Sequence, residues 1–454
     1  MTSIRDRVKR RLDPQTRGFA RDSLKLSLGT VVVAAGYASQ IALITHFLGL
    51  AMLGVFSVVV ALVDMIGRFF NFKTGQMTVA FTSYTLRSDP RRTSGIAQFA
   101  YAIDAIAGVL SFLVVCAAAT FASKVLLGDT DYGSGLFVLY AVTMLVTTTQ
   151  STSFALLQLF GRFGTITRLI IIRETLRFAL VLTALLITDS LYAVVAALVA
   201  MEIVMAVLWA ISATRAASAQ LGGVSVWTPA LDATKGIRRE MVGTVFHTNV
   251  ISYVKILSSQ GPTLLLGAMR PPVEVGAFRI GMAIGAIVGQ LADPAWAAVL
   301  PRFARLRAAG RQAEIGVLIR QTSLGALIAT SALGVLAIAF RDPLLRIFGG
   351  EEAVAAAPVL VLAVLGRVVN GTLFWNSPLL YALKRAKAAS AVFVVTSVLF
   401  TPLLIVCADR WGATGMAAAL LFWTVAVNAG LSVAAIRALR LVTRPVGAAA
   451  AQPG

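Results

Sequence analysis

Thr248, Ser252, Lys255 and Ser259 follow one another at steps of four, three and four residues. On an α-helix that spacing puts all four on one face, and Asn249 and Gln260 fall close to the same face. A stripe of hydroxyls and amides around one ammonium either lines water or packs on a neighbouring helix. Arg367 sits in the middle of another apolar run, and the same half of the chain has one acid well inside a run, Asp293. Charges within apolar runs are costly and point to function. An anionic ligand would match Lys255 and Arg367, since arginine offers a planar fork and lysine a point charge. An acid from the first half of the chain, or a side chain reaching to the interface, would satisfy them as well. Gly261-Pro262, just past the stripe, is expected to break or kink its helix.

The first half holds more balanced charges. Asp64 and Arg68 are four residues apart and are expected to pair. Arg173, Glu174 and Arg177 share one run and Glu202 lies in the next, so an Arg177–Glu202 contact is expected. Asp64, Arg177 and Glu202 are therefore candidates for ion coupling or for structural pairs. Arg279 stands near the outer end of its run, where it could snorkel. Tyr37, Gln40 and His46 give the first run a polar side that suits core or cavity. The two cysteines and two histidines have no metal-ligand spacing, and there is no Gly-x-x-x-x-Gly-Lys-Ser/Thr loop. No motif asks for a metal, a cofactor or a catalytic residue.

The elements that carry these residues are apolar helices. The 454 residues are 58% hydrophobic and 13% charged, with mean hydropathy +0.84. Soluble domains carry roughly 25% charged residues. About twelve runs can each cross a bilayer core: roughly 26–47, 51–72, 96–120, 134–159, 165–188, 190–214, 241–267, 275–299, 317–340, 354–382, 388–408 and 412–436. The alternating segments of a membrane barrel are not visible. The net charge of +20 sits between the runs. Lys73 to Arg92, Arg162, Lys235 to Arg239, Arg302 to Arg311 and Lys384 to Lys387 mark one side, whereas the opposite loops are poor in base. That alternation puts both termini in the cytoplasm, and it assigns the charge to anionic lipid headgroups rather than to nucleic acid. The first 25 residues read as a basic cytoplasmic lead-in rather than a signal peptide.

The chain also repeats. At a shift of 222, Gly54, Phe56, Ala61 and Gly67 meet Gly276, Phe278, Ala283 and Gly289, and Arg215 meets Arg437. At a shift of 223, Leu156, Leu157 and Arg162 meet Leu379, Leu380 and Arg385. The expected organisation is a cytoplasmic N-terminus at 1–25, a six-helix half at 26–215, a cytoplasmic linker at 216–240, a second half at 241–437 and a tail at 438–454. The two halves share an orientation, which calls for a repeat axis along the membrane normal. The fold class is thus an all-α polytopic membrane protein of two six-helix repeats.

Six plus six spans, the basic N-terminus, a Gly-x-Phe entry at Gly54 and Gly276, and a Gln-x-x-Gly-Arg-Phe junction from Gln158 to Phe163 form a combination. It resembles the polysaccharide transporter branch of the superfamily that also holds multidrug antiporters and lipid-linked peptidoglycan precursor flippases. The resemblance implies two helical halves around a central cavity open to one side at a time, in a bacterial cytoplasmic membrane. It implies a flippase, not an enzyme, that moves polyprenyl-diphosphate-linked oligosaccharide for O-antigen, capsule or exopolysaccharide. Lys255, Arg367, Arg68 and Arg279 would then hold the diphosphate, with Thr248, Asn249, Ser252, Ser259, Gln260 and Gln40 as polar lining. Lipid-linked oligosaccharide, anionic membrane lipids, and a polysaccharide polymerase with glycosyltransferases are the partners this implies. The alternative on the same fold is a cation-coupled multidrug antiporter, which would want deep unpaired acids. A membrane-embedded glycosyltransferase or polymerase would want an acidic pair or an Arg-rich large outer loop near the chemistry, and the outer loops here are short.

Overall fold

The computed structural model describes residues 14–85, 89–128, 133–221, 226–247, 250–290 and 293–443. Among these the chain is helical, with no strand. In chain order the helices are α1 (Pro14–Phe69), α2 (Thr74–Thr85), α3 (Pro90–Leu127), α4 (Gly135–Leu159), α5 (Phe163–Ile187), α6 (Leu191–Gln220), α7 (Arg238–His247) and α8 (Val250–Met269). They continue as α9 (Pro272–Gln290), α10 (Asp293–Ala308), α11 (Gln312–Ala339), α12 (Arg341–Gly349), α13 (Ala357–Thr372), α14 (Asn376–Ala382) and α15 (Ala386–Thr443).

Seven stretches among the described residues are long and apolar enough to cross a membrane. One runs 56 residues, Ala386–Leu441. As a straight rod it would measure about 84 Å, against a bilayer core of about 30 Å. It must fold back, and it does so at Gly412, whose φ of 55° is open to glycine at little cost. Gly49, at φ 85°, turns α1 in the same way. Such turns make two spans of one apolar stretch. Other spans are pieced together from two helices. The protein is a multi-span, all-α membrane protein.

The repeat is written in the helix boundaries. Pro90, Gly135 and Leu191 open α3, α4 and α6; 222 residues on, Gln312 and Ala357 open α11 and α13, and Ala413 follows the Gly412 turn. The junction motif repeats at 223. Gly161 ends α4 at φ 66° before Arg162, and Lys384 takes φ 57° before Arg385. A lysine in the left-handed region is uncommon, so the shared turn, and not the residue, is what the repeat preserves.

The chain forms two compact units, one of residues 1–43 with 62–256 and the other of 44–61 with 257–454. In the first, α3 and α6 flank α4, and α2 lies on α3 and α4. The chain at 226–234 docks on the start of α3: Gln98 Nε2 donates to the Val226 carbonyl at 2.7 Å, the Ala230 N–H donates to Gln98 Oε1 at 3.1 Å, and Trp227 stacks on Tyr101 at 5.7 Å. In the second unit, α13 packs on α9, α11 and α15. Gly281, Gly285 and Gly289 face α13; a Cβ on them would lie 2.8, 2.7 and 2.8 Å from Val359, Ala363 and Arg367. Small residues every fourth position let two membrane helices approach this closely.

Within the second unit the two glycines of the Gly-x-Phe motif meet. A Cβ on Gly54 would stand 1.8 Å from the Pro272 carbonyl oxygen, and one on Gly276 would stand 2.0 Å from the Leu50 carbonyl oxygen. Pro272 lies 222 residues after Leu50, so the two contacts are a reciprocal pair, as two-fold related contacts must be.

Candidate functional site

Two polar clusters lie among the apolar helices of the first unit. The first centres on Asp104, which the sequence analysis missed although it stands inside the third expected span; an acid within an apolar run was the available signal. Asp104 is 4% exposed. α2 begins at Thr74 after the chain leaves helical geometry at 70–73, which brings the Thr74 hydroxyl to Asp104 Oδ1 at 2.5 Å. From α4 the Thr152 hydroxyl donates to Oδ2 at 2.6 Å. One turn back on α3, the Tyr101 hydroxyl meets that of Ser153 at 2.8 Å. No basic side chain pairs with Asp104 among the described residues.

The second cluster joins α5 to α6. Arg173 bonds Glu202, which also accepts from Gln150 Nε2 at 3.1 Å, and Arg177 Nη1 bonds Glu174 at 2.7 Å. The expected Arg177–Glu202 contact is therefore replaced by two others. Residues 174 and 177 are one turn apart on the same face, while residue 173 turns toward α6. Glu174 is 4% exposed and its partner's side chain 13%. The first arm of α1 passes directly over it, where a Cβ on Gly36 would lie 2.1 Å from Glu174 Oε2. This cluster is a set of paired charges, and its chemistry is to hold three helices in register.

The remaining expected residues are placed as follows. Thr248 and Asn249 lie outside the described residues, as do the side chains of Ser252 and Lys255. Lys255 belongs to α8, which runs through Pro262 without interruption, so the expected break does not fall there. Proline is tolerated inside membrane helices. Ser259 is exposed, and Gln260 is 7% exposed with its Oε1 unpaired. Gln40 is buried at 6% in α1. Arg279 is half-buried on α9, and Arg367 is half-buried on α13 with its stem against Gly289. Arg68 is exposed and stands 4.0 Å from Asp64, a loose pair. On α13 with Arg367, Asn370 accepts from Asn428 Nδ2 at 3.4 Å, and the buried Asn376 donates to Asn428 Oδ1 at 3.0 Å. Near the basic loop, a cavity of about 500 Å³ is lined by Arg302, Arg305 and Arg311, with Glu314 paired to Arg311. Three guanidiniums around such a basin suit an anionic headgroup.

Among the described residues no nucleophile is set beside a base. The arrangement is a helical framework with buried, mostly paired charges and a few basic side chains. A family profile described as "Polysaccharide biosynthesis protein" matches residues 19–307, and one described as MatE matches residues 256–407. Searching the curated proteins returned no match. Among solved structures, an inward-facing multidrug resistance MATE family transporter of the MOP superfamily superposes with a TM-score of 0.67 at 13% identity, covering 91% of this chain and 95% of that one. The lipid II flippase MurJ, in an inward closed conformation, gives 0.68 at 12%, covering 92% and 89%. A mutant of the Vibrio cholerae MATE transporter VcmN gives 0.63 at 17%, covering 94% and 97%. At such identities these likenesses establish the fold.

Proposed function

Because the chain belongs to the polysaccharide biosynthesis protein family and has the fold of MOP superfamily transporters and flippases, we propose that it flips a polyprenyl-diphosphate-linked oligosaccharide across the bacterial cytoplasmic membrane. The family match over residues 19–307 carries this reading. Family and fold are those of transporters and flippases rather than of enzymes. The two halves alternate access, and the ligand drives the change only if it binds the two states differently. Basic side chains fit the diphosphate: Lys255, Arg367 and Arg279 on the second half and Arg68 on the first, with Gln40, Ser259 and Gln260 among the polar lining. The prenyl tail stays in lipid. Both termini face the cytoplasm, so the basic loops meet the anionic inner leaflet.

The MatE match at 256–407 favours a second reading, a cation-coupled multidrug antiporter. One experiment separates them. Purified protein is placed in liposomes with a lipid-linked oligosaccharide on one face, and the appearance of its sugar on the other face is followed with an impermeant glycosidase. Protein-dependent flipping supports the flippase. No flipping, together with cation-driven efflux of a fluorescent drug, replaces it with the antiporter.

A further inference from the structure

The fold carries its own control for the Asp104 cluster. At the repeat shift of 222, Asp104 corresponds to Ala326 and Thr74 to Trp296; Thr152, close to the junction where the shift becomes 223, corresponds to Phe374 or Trp375. In the second unit Phe374 is 8% exposed and belongs to an apolar core with Trp375, Val299 and Phe303, against which Ala326 packs. The same helical architecture thus closes over hydrocarbon at the equivalent place. The fold therefore does not call for a carboxyl there, and apolar packing is the ordinary solution where both are open. The first unit keeps one, 4% exposed, with hydroxyls on both oxygens and no basic partner among the described residues.

The choice of partners is informative. A guanidinium only donates, and would hold the carboxylate as an anion. A hydroxyl donates or accepts as its hydrogen rotates. With Thr74 and Thr152 donating, Asp104 is satisfied as an anion. With one of them turned round to accept, it is satisfied as an acid. The same heavy-atom positions serve both forms. They do not serve a metal ion equally well: oxygens 2.5 and 2.6 Å apart are at hydrogen-bond separation, and a bound cation would have to push them apart. No group of three His, Cys, Asp or Glu side chains able to hold a metal occurs among the described residues.

We propose that Asp104 is a proton-binding site that couples proton movement to the conformational change of the transporter. The proton comes from water, bonds to a carboxyl oxygen of Asp104, and leaves as a proton to water in the other conformation, with no other bond changed. The elements packed on the site present few competing groups. Tyr101 is the titratable neighbour on α3, α2 contributes Thr74 and follows directly on Lys73, and α4 contributes Thr152. Thr74 opens α2, and four non-helical residues separate it from α1. Coupling of transport to the proton rests on the function proposed above; binding of the proton does not.

The test keeps the two apart. Full-length protein in lipid nanodiscs is titrated with acid and followed by infrared difference spectroscopy in the protonated-carboxyl region. Wild type is expected to show a band that Asp104→Asn lacks and that sodium leaves in place. Thr152→Val, which keeps the carboxyl and removes one hydroxyl, shifts the band's midpoint; it also serves if the asparagine variant does not fold. In liposomes, an imposed pH gradient changes wild-type flipping by about tenfold, within the usual range of coupling. Asp104→Asn loses that response and Asp104→Glu recovers it. A band that persists in Asp104→Asn, one that sodium removes, or a midpoint unmoved in Thr152→Val overturns the site. A band lost as expected, with no flipping by wild type, keeps the site and removes the oligosaccharide.

Discussion

Adding one methyl group at Gly54 or Gly276 is the most exacting test of the repeat. In Gly54→Ala the new Cβ would start 1.8 Å from the Pro272 carbonyl oxygen and 2.6 Å from its carbon; in Gly276→Ala it would start 2.0 Å from the Leu50 oxygen. These atoms are backbone, so no rotamer change relieves the overlap and the two segments must separate. Overpacking of this kind costs about 1–3 kcal/mol, and contact with backbone puts each substitution at the upper end. The two contacts are reciprocal, so one separation relieves both. Gly54→Ala/Gly276→Ala should then cost little more than either single change, with a coupling of about 1–3 kcal/mol. The assay is a double-mutant cycle on the detergent-solubilised protein, read as thermal midpoint and as denaturant midpoint. Either single variant with an unchanged midpoint would refute the close approach. Additive losses would refute the shared separation, and with it the two-fold relation of the contacts.

Glu174→Ala should lower the amount of folded protein in the membrane, because it leaves Arg177 buried without its carboxylate at a cost of about 3–5 kcal/mol; an immunoblot at wild-type level would contradict this. Lys255→Ala and Arg367→Ala should each reduce surface polysaccharide in a deletion strain with abundance near wild type, and Lys255→Arg should be milder because it keeps the charge. Normal export in both alanine variants would remove them from the ligand. Reporters fused after Arg92, Arg239 and Arg311 should read cytoplasmic, and those after Asp131 and Glu352 external, as the alternation of basic loops demands; Arg239 reading external would break the twelve-span count.

The fold class was legible in the sequence because hydrophobic runs and basic loops are local quantities. Run length against bilayer thickness gives helices, with no reference to what packs on what, and alternation of base gives the orientation that the reporter fusions test. The offset of 222 was legible for a related reason: a duplicated fold keeps small residues where helices cross, and Gly54 and Gly276 show it. Where a run is interrupted was legible in part. The turns at Gly49 and Gly412 fall where expected spans meet, 26–47 with 51–72 and 388–408 with 412–436, whereas Pro262 marked an expected break or kink and α8 runs through it. Within a bilayer, neighbouring helices and local adjustments of the backbone re-satisfy the groups a proline frees, so a proline alone does not end a helix.

Partnership among buried charges belonged to tertiary structure. Arg173, Glu174, Arg177 and Glu202 were all visible as charges in apolar runs, yet the sequence pointed to Arg177–Glu202 and the fold pairs Arg177 with Glu174 and Arg173 with Glu202. Which guanidinium meets which carboxylate depends on helix rotation, and a composition that is apolar on every side leaves rotation unspecified. Asp104 shows the same limit from the other direction. Its carboxyl, the hydroxyl of Thr74 thirty residues before it and that of Thr152 forty-eight after it have no local pattern in common. Only the packing of α2, α3 and α4 brings them together, and only comparison with Ala326 and Phe374 in the other unit shows that the fold could have done without them.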